Sequence, residues 1–177
     1  MQSPPQRSTP IPENHPLRHL FHAMTEASFE QVGMPDMELK IYVTGVLVDF
    51  VHVNNLYRIR DAHGRRLEYL FELQQESAQG DAAHTRETQK HLGDYALFMV
   101  GMFPEHLQRR RRAVSPAYYV AQGKIDYATV SAIDGLRPSA ALFRKLAEHF
   151  ETCVQALNHG KAYFQDAFHQ YLMRQMA

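Results

Sequence analysis

Hydrophobic positions recur along most of this chain at steps of three and four, the spacing of one helical face. Leu17, Leu20, Phe21, Met24 and Ser28 mark a first helix over 16–32, which stops around Gly33-Met34-Pro35. Asp36 is placed to cap a second helix carrying Leu39, Tyr42, Val43, Val46, Leu47, Phe50 and Tyr57 on one stripe. Gly64 separates it from a short third helix with Leu67, Leu70, Phe71 and Gln74, and a fourth runs from Ala82 to Phe103, ending at Pro104. Three more are expected over 116–134, 139–158 and 161–175. The sixth shows Leu142, Leu146, Phe150, Cys153 and Leu157 in phase; the seventh shows Phe164, Phe168, Tyr171 and Leu172.

Residues 40–72 also admit a second reading. Ile41 to Val48 is rich in β-branched residues and Asp61-Ala62-His63-Gly64 suits a turn, so 40–60 and 65–72 could pair as a hairpin beside the helices, an α+β arrangement. Strict alternation breaks at Asp49, which would share a face with Leu47 and Val51, whereas the helical stripe persists. The expected fold is therefore all-α, an irregular bundle of six or seven helices with Leu92–Phe103 near its centre. Residues 1–15, proline-rich and without an apolar run, read as a mobile tail that is neither a secretory signal nor an anchor; 16–177 form one domain. The most apolar stretch, Ile41 to Val53, is too short and too interrupted to span a bilayer.

Composition narrows the function classes. The 177 residues hold 19 Lys+Arg against 19 Asp+Glu, and no third of the chain departs from balance by more than one charge. A nucleic-acid binder, which depends on neutralising phosphates, is disfavoured. One local exception, Arg109, Arg110, Arg111 and Arg112, offers a polyanion contact or a solvated connector after a helix end. A single cysteine excludes an intramolecular disulfide and any multi-cysteine metal site, and agrees with a reducing cytoplasm.

From His91 the chain reads HLGDYALFMVGMFPEHL and then SPAYYVAQGKIDYA, preceded by LYRIRDAHGRRLEYL. With Tyr42 to Phe50, this resembles a set of uncharacterised bacterial proteins sharing an HLGDYALF…G-x-FPE core, over most of residues 17–157. The resemblance implies an all-helical, intracellular protein and carries no activity, cofactor or catalytic residue.

The fourth helix holds the best candidate chemistry. Asp94 interrupts an almost wholly apolar run, where an ionised carboxylate is costly unless paired or hydrogen-bonded. Gly93 and Gly101 permit close approach of a helix or a ligand. His91 lies one turn before Tyr95, and Tyr118 and Tyr119 open the next helix. One reading is a ligand pocket lined by His91, Asp94, Tyr95, Tyr118 and Tyr119, with Asp94 as a general base. The other is a buried ion pair, or an Asp bonded to a Tyr hydroxyl, that fixes helix register.

No metal site and no cofactor are assigned. His15, His19 and His22 share a stripe opposite the apolar face of the first helix, with no carboxylate to complete a shell. Glu87 and His91 form no paired E-x-x-H pattern, and one axial histidine for haem would leave no spacing signature. Cys153, one turn after His149, falls in the core stripe, where a thiol acts as a small hydrophobe. Phosphate-loop, dinucleotide and hydrolase motifs are absent. The sequence points to a non-enzymatic intracellular interaction or regulatory module that self-associates. The alternative is a helical small-ligand or cofactor-binding protein, an enzyme included, with its pocket around His91, Asp94 and Tyr118.

Overall fold

The computed structural model describes residues 10–58, 80–109 and 115–163. Eight α-helices and one 3-10 turn lie among the described residues, and no strand does. They are α1 (Pro16–Gln31), α2 (Met37–Phe50), α3 (Val53–Leu56), α4 (Ala82–Met102), α5 (Pro104–Arg109), α6 (Pro116–Asp134), α7 (Ser139–Glu148) and α8 (Phe150–Gly160), with the 3-10 turn over Lys161–Tyr163. The fold is all-α. Residues 40–50 are helical, so the hairpin reading fails there; its second arm, and the helix expected around Leu67 to Gln74, lie outside the described residues. So does most of the helix expected over 161–175.

Local chemistry sets the helix ends. Pro16 opens α1 with its φ already helical, and His15 Nδ1 accepts the Leu17 N–H at 3.2 Å. Gly33 ends the helix at φ +73, with Gly33 N–H bonded to Glu30 O and Met34 N–H to Phe29 O, the paired bonds of a left-handed helix stop. Asp36, Asp81 and Ser115 cap α2, α4 and α6 through Leu39, His84 and Tyr118 N–H groups.

Two breaks, together with the short, unexpected α5 that starts at Pro104, bring the described helices to eight against the expected six or seven. The long second helix stops at Val51 because His52 adopts an extended backbone (ψ 109), and a single turn, α3, resumes. The sixth divides at His149 (φ −106, ψ 19), letting α8 start on a new axis. Its apolar phase nevertheless survives, with Leu146, Phe150, Cys153 and Leu157 all buried.

α4 is the axis of the bundle: every residue from His91 to Phe103 is buried. α6 and α8 pack against it, α7 packs on α6, and α1 lies between α2 and α8. Gly93 and Gly101 serve the close approach of helices. A Cβ at 93 would stand 2.6 Å from the Tyr127 ring of α6, and one at 101 would stand 2.5 Å from Leu157 of α8. On α1 the buried face is Phe21, Met24, Thr25, Ser28 and Phe29, which turns Leu20 outward to 41% exposure. Ile11, ahead of α1, joins the core.

Candidate functional site

Asp94 projects from the middle of α4 and is 3% exposed. Its Oδ1 accepts the hydroxyls of Tyr42 from α2 at 2.6 Å and Tyr127 from α6 at 2.8 Å. Its Oδ2 accepts Lys90 Nζ, one turn earlier, at 2.7 Å. The ammonium also sits 5.4 Å from the Tyr42 ring centroid, so charge pairing and a cation–π contact act together. Burial, reinforced by the neighbouring carboxylate charge, pushes both tyrosine hydroxyls well above their ordinary range. They remain neutral donors, and one carboxylate ties three helices together.

His91 takes a separate set of partners. Arg58 Nε donates to Nδ1 at 2.9 Å, which places the ring proton on Nε2, 3.1 Å from the Leu56 carbonyl. Burial first, and Arg58 second, hold the imidazole down to about 3, so it is neutral. Its ring meets Phe50 edge-on at 5.7 Å and Tyr95 at 6.4 Å. Tyr95 in turn lies 6.3 Å from Tyr57 and 6.4 Å from Tyr119, and Tyr118 lies 6.4 Å from Tyr119. Four of the five expected site residues therefore form a ring-to-ring series through the core. Asp94 stands apart from it, bonded to Tyr42, Tyr127 and Lys90 rather than to His91 or Tyr118.

The other candidates separate in space. His19 and His22 are exposed, while His15 is half-buried and caps α1. No group of three or more His, Cys, Asp or Glu lies close enough to hold a metal among the described residues. Cys153 is buried and its thiol is pushed up to about 12 by that burial, which suppresses the nucleophilic thiolate. Arg109 closes α5; Arg110, Arg111 and Arg112 lie outside the described residues. Among the described residues no helix is long and apolar enough to cross a membrane.

Two buried carboxylates were not singled out by sequence reasoning. Asp134, at the end of α6, receives Arg86 of α4 through both oxygens, the second at 2.8 Å, and Ser139 Oγ at 2.6 Å. The guanidinium holds its carboxyl down to about 2. Asp126 is fully buried with only Gln122 Nε2 on Oδ1, at 3.0 Å, and its Oδ2 has no hydrogen-bond partner. Burial pushes it up to about 7. The available signal was phase: Asp126 falls in the stripe Tyr119, Gly123, Val130, and Asp134 continues it.

Comparison with family models, curated proteins and solved structures found no match.

Proposed function

We propose that the protein is a non-enzymatic interaction module, acting inside the cell, that pairs with a second copy of itself through the outer face of α6. The observation that carries this is an exposed helix face without charge. Ala117, Ala121, Ile125, Ala128, Ala132 and Ile133 are all exposed along it, Ile125 at 56%, and Leu136 continues it past the helix end. The three charged residues of α6 are directed elsewhere. Lys124 bonds Glu151 of α8 at 3.1 Å, and Asp126 and Asp134 are buried.

An uncharged face suits a copy of itself, because neither copy brings a like charge to the contact. A two-fold axis through Ile125 in an antiparallel pair sets Tyr118 over Ala132 and Ile133 over Ala117, large residues on small ones. The pairing also agrees with the commitment of the two groups expected to carry chemistry. Asp94 has three hydrogen-bond donors and His91 has both ring nitrogens engaged. A 19-residue helix offers a strip only about 28 Å long, towards the small end of stable interfaces, so the dimer is expected to depend on concentration. Sedimentation velocity across a dilution series should show a monomer–dimer equilibrium that Ile125→Glu shifts to monomer with its helical circular dichroism intact. A wild-type chain that stays monomeric at its highest attainable concentration would remove the proposal.

A further inference from the structure

α6 ends at Gly135, whose backbone (φ +59) lies in the left-handed region that favours glycine. Gly135 N–H bonds Ser131 O and Arg137 N–H bonds Asp134 O, each at 3.0 Å, so the turn into α7 is fixed on both sides of Leu136. Leu136 stands wholly exposed on that turn. A two-fold axis through Ile125 sets it opposite position 114, ahead of the Ser115 cap, so pairing of α6 helices leaves it uncovered by the partner's helix. Arg137 beside it is exposed too, and its pair with Asp134, at 3.6 Å, is too long for a hydrogen bond.

The surface also holds a recess. Pro10, Ile11 and Val48 wall a cleft of about 210 Å³ at the α2–α3 corner. An apolar cavity of roughly 150 Å³ takes up a benzene ring, so this cleft has room for a leucine side chain. Gly45 keeps it open from within α2, since a Cβ there would meet nothing within 4 Å. Asp49, next to Val48, supplies an accessible carboxylate. Its side chain is 44% exposed, Asn55 Nδ2 orients it at 3.0 Å, and Arg58 comes no nearer than 3.9 Å.

We propose that the Leu136–Arg137 turn of one copy docks in this cleft of a second copy, with Leu136 against Ile11 and Val48 and Arg137 on Asp49. An apolar side chain followed by a cation meets an apolar wall followed by a carboxylate, so shape and charge agree in the same order. The turn is already rigid, so little freedom is lost when it docks. No residue of the turn lines the cleft of its own chain, which makes the contact one between copies. Turn and cleft are different surfaces, so the contact is heterologous and passes from copy to copy. One leucine and one exposed ion pair make it weak, and it forms at high protein concentration.

Amide NMR tests the proposal with Ile125→Glu in every chain, which keeps α6 pairing out and makes the result independent of it. A nitrogen-15-labelled chain that also carries Leu136→Ser has a cleft but no apolar side chain to offer. Titrated with unlabelled chain to about millimolar concentration, its Gly45, Asp49 and Asn55 amides should shift saturably. Gly45→Met in the labelled chain, which fills the cleft, should abolish the shifts at Asp49 and Asn55. Arg137→Glu in the unlabelled chain sets a carboxylate against Asp49 and should weaken binding at least about fivefold. Absence of any shift from an unlabelled chain that retains Leu136, or undiminished binding by Arg137→Glu, would overturn the proposal. Shifts of equal size from an unlabelled chain carrying Leu136→Ser would assign the cleft to another segment of the second copy and overturn it as well.

Discussion

His91 and Asp126 are both enclosed by the core, yet their protons pull stability in opposite directions. Burial drives the imidazole down to about 3 from an ordinary 6.5, so between those values the unfolded chain binds the proton and the folded one does not. Its contribution is complete above pH 6.5 and is lost as pH falls towards 3. Asp126 is raised to about 7 from 3.8, so there the folded chain holds the extra proton, and its contribution is lost as pH rises through that window. Between about pH 4 and 6.5 the two slopes oppose one another, each bounded by about 1.4 kcal/mol per pH unit. Urea denaturation should find wild-type stability nearly flat there. Asp126→Asn removes one arm, so its stability should climb with pH over the same interval; a flat profile in that variant would contradict the opposition. The burial of Asp94 was legible from the apolar residues around it. Its partners were not, because Tyr42 and Tyr127 lie 52 and 33 residues away and only the packing of three helices brings them together.

Helices differ in what their glycines do, and substitution separates the cases. In α2 the Gly45 position is open, so Gly45→Ala should raise stability by up to about 1 kcal/mol through helix propensity alone. In α4 a Cβ at Gly93 collides with the Tyr127 ring, so Gly93→Ala should cost about 1–3 kcal/mol and disturb the hydroxyl that Asp94 accepts. Thermal melts of the two variants should therefore move in opposite directions. Helix starts were the most legible elements, because Asp36, Ser115, Pro16 and Pro116 act within one turn of themselves. The break at His149 carried no such signal: no glycine or proline marks it and the apolar phase runs through it. The exposed position of Leu20 has a similar origin, since a stripe of threes and fours does not say where its centre lies until α2 and α8 have packed on it.

At the scale of the molecule, charge balance hides an uneven arrangement. Asp94 and Asp134 are drawn inside with Lys90 and Arg86 beside them, Lys124 is tied to Glu151, and the outer face of α6 is left apolar. An interface built on that face has no ion pairs to screen, so the proposed dimer should persist, or tighten, between 50 mM and 1 M salt, roughly a fourfold to fivefold range of Debye length. Dissociation by salt in sedimentation equilibrium would argue for a charged contact instead. The central place of Leu92–Phe103 could be read from sequence, because a helix apolar on all sides has to be enclosed. The order of helices around it depends on contacts between distant positions, which periodicity does not encode.

Asp36 illustrates how such distant contacts act on a local element. One of its oxygens receives the Leu39 amide and so starts α2; the other receives Lys145 of α7, 109 residues further on, at 2.9 Å. The first turn of an early helix is thereby completed by a late one. A growing chain reaches α2 long before it reaches Lys145, so the Leu39 amide gains its full protection from solvent only when the C-terminal half has docked. The cap works as a latch between an early and a late helix, and loosening α7 should fray α2 from its beginning rather than from its middle.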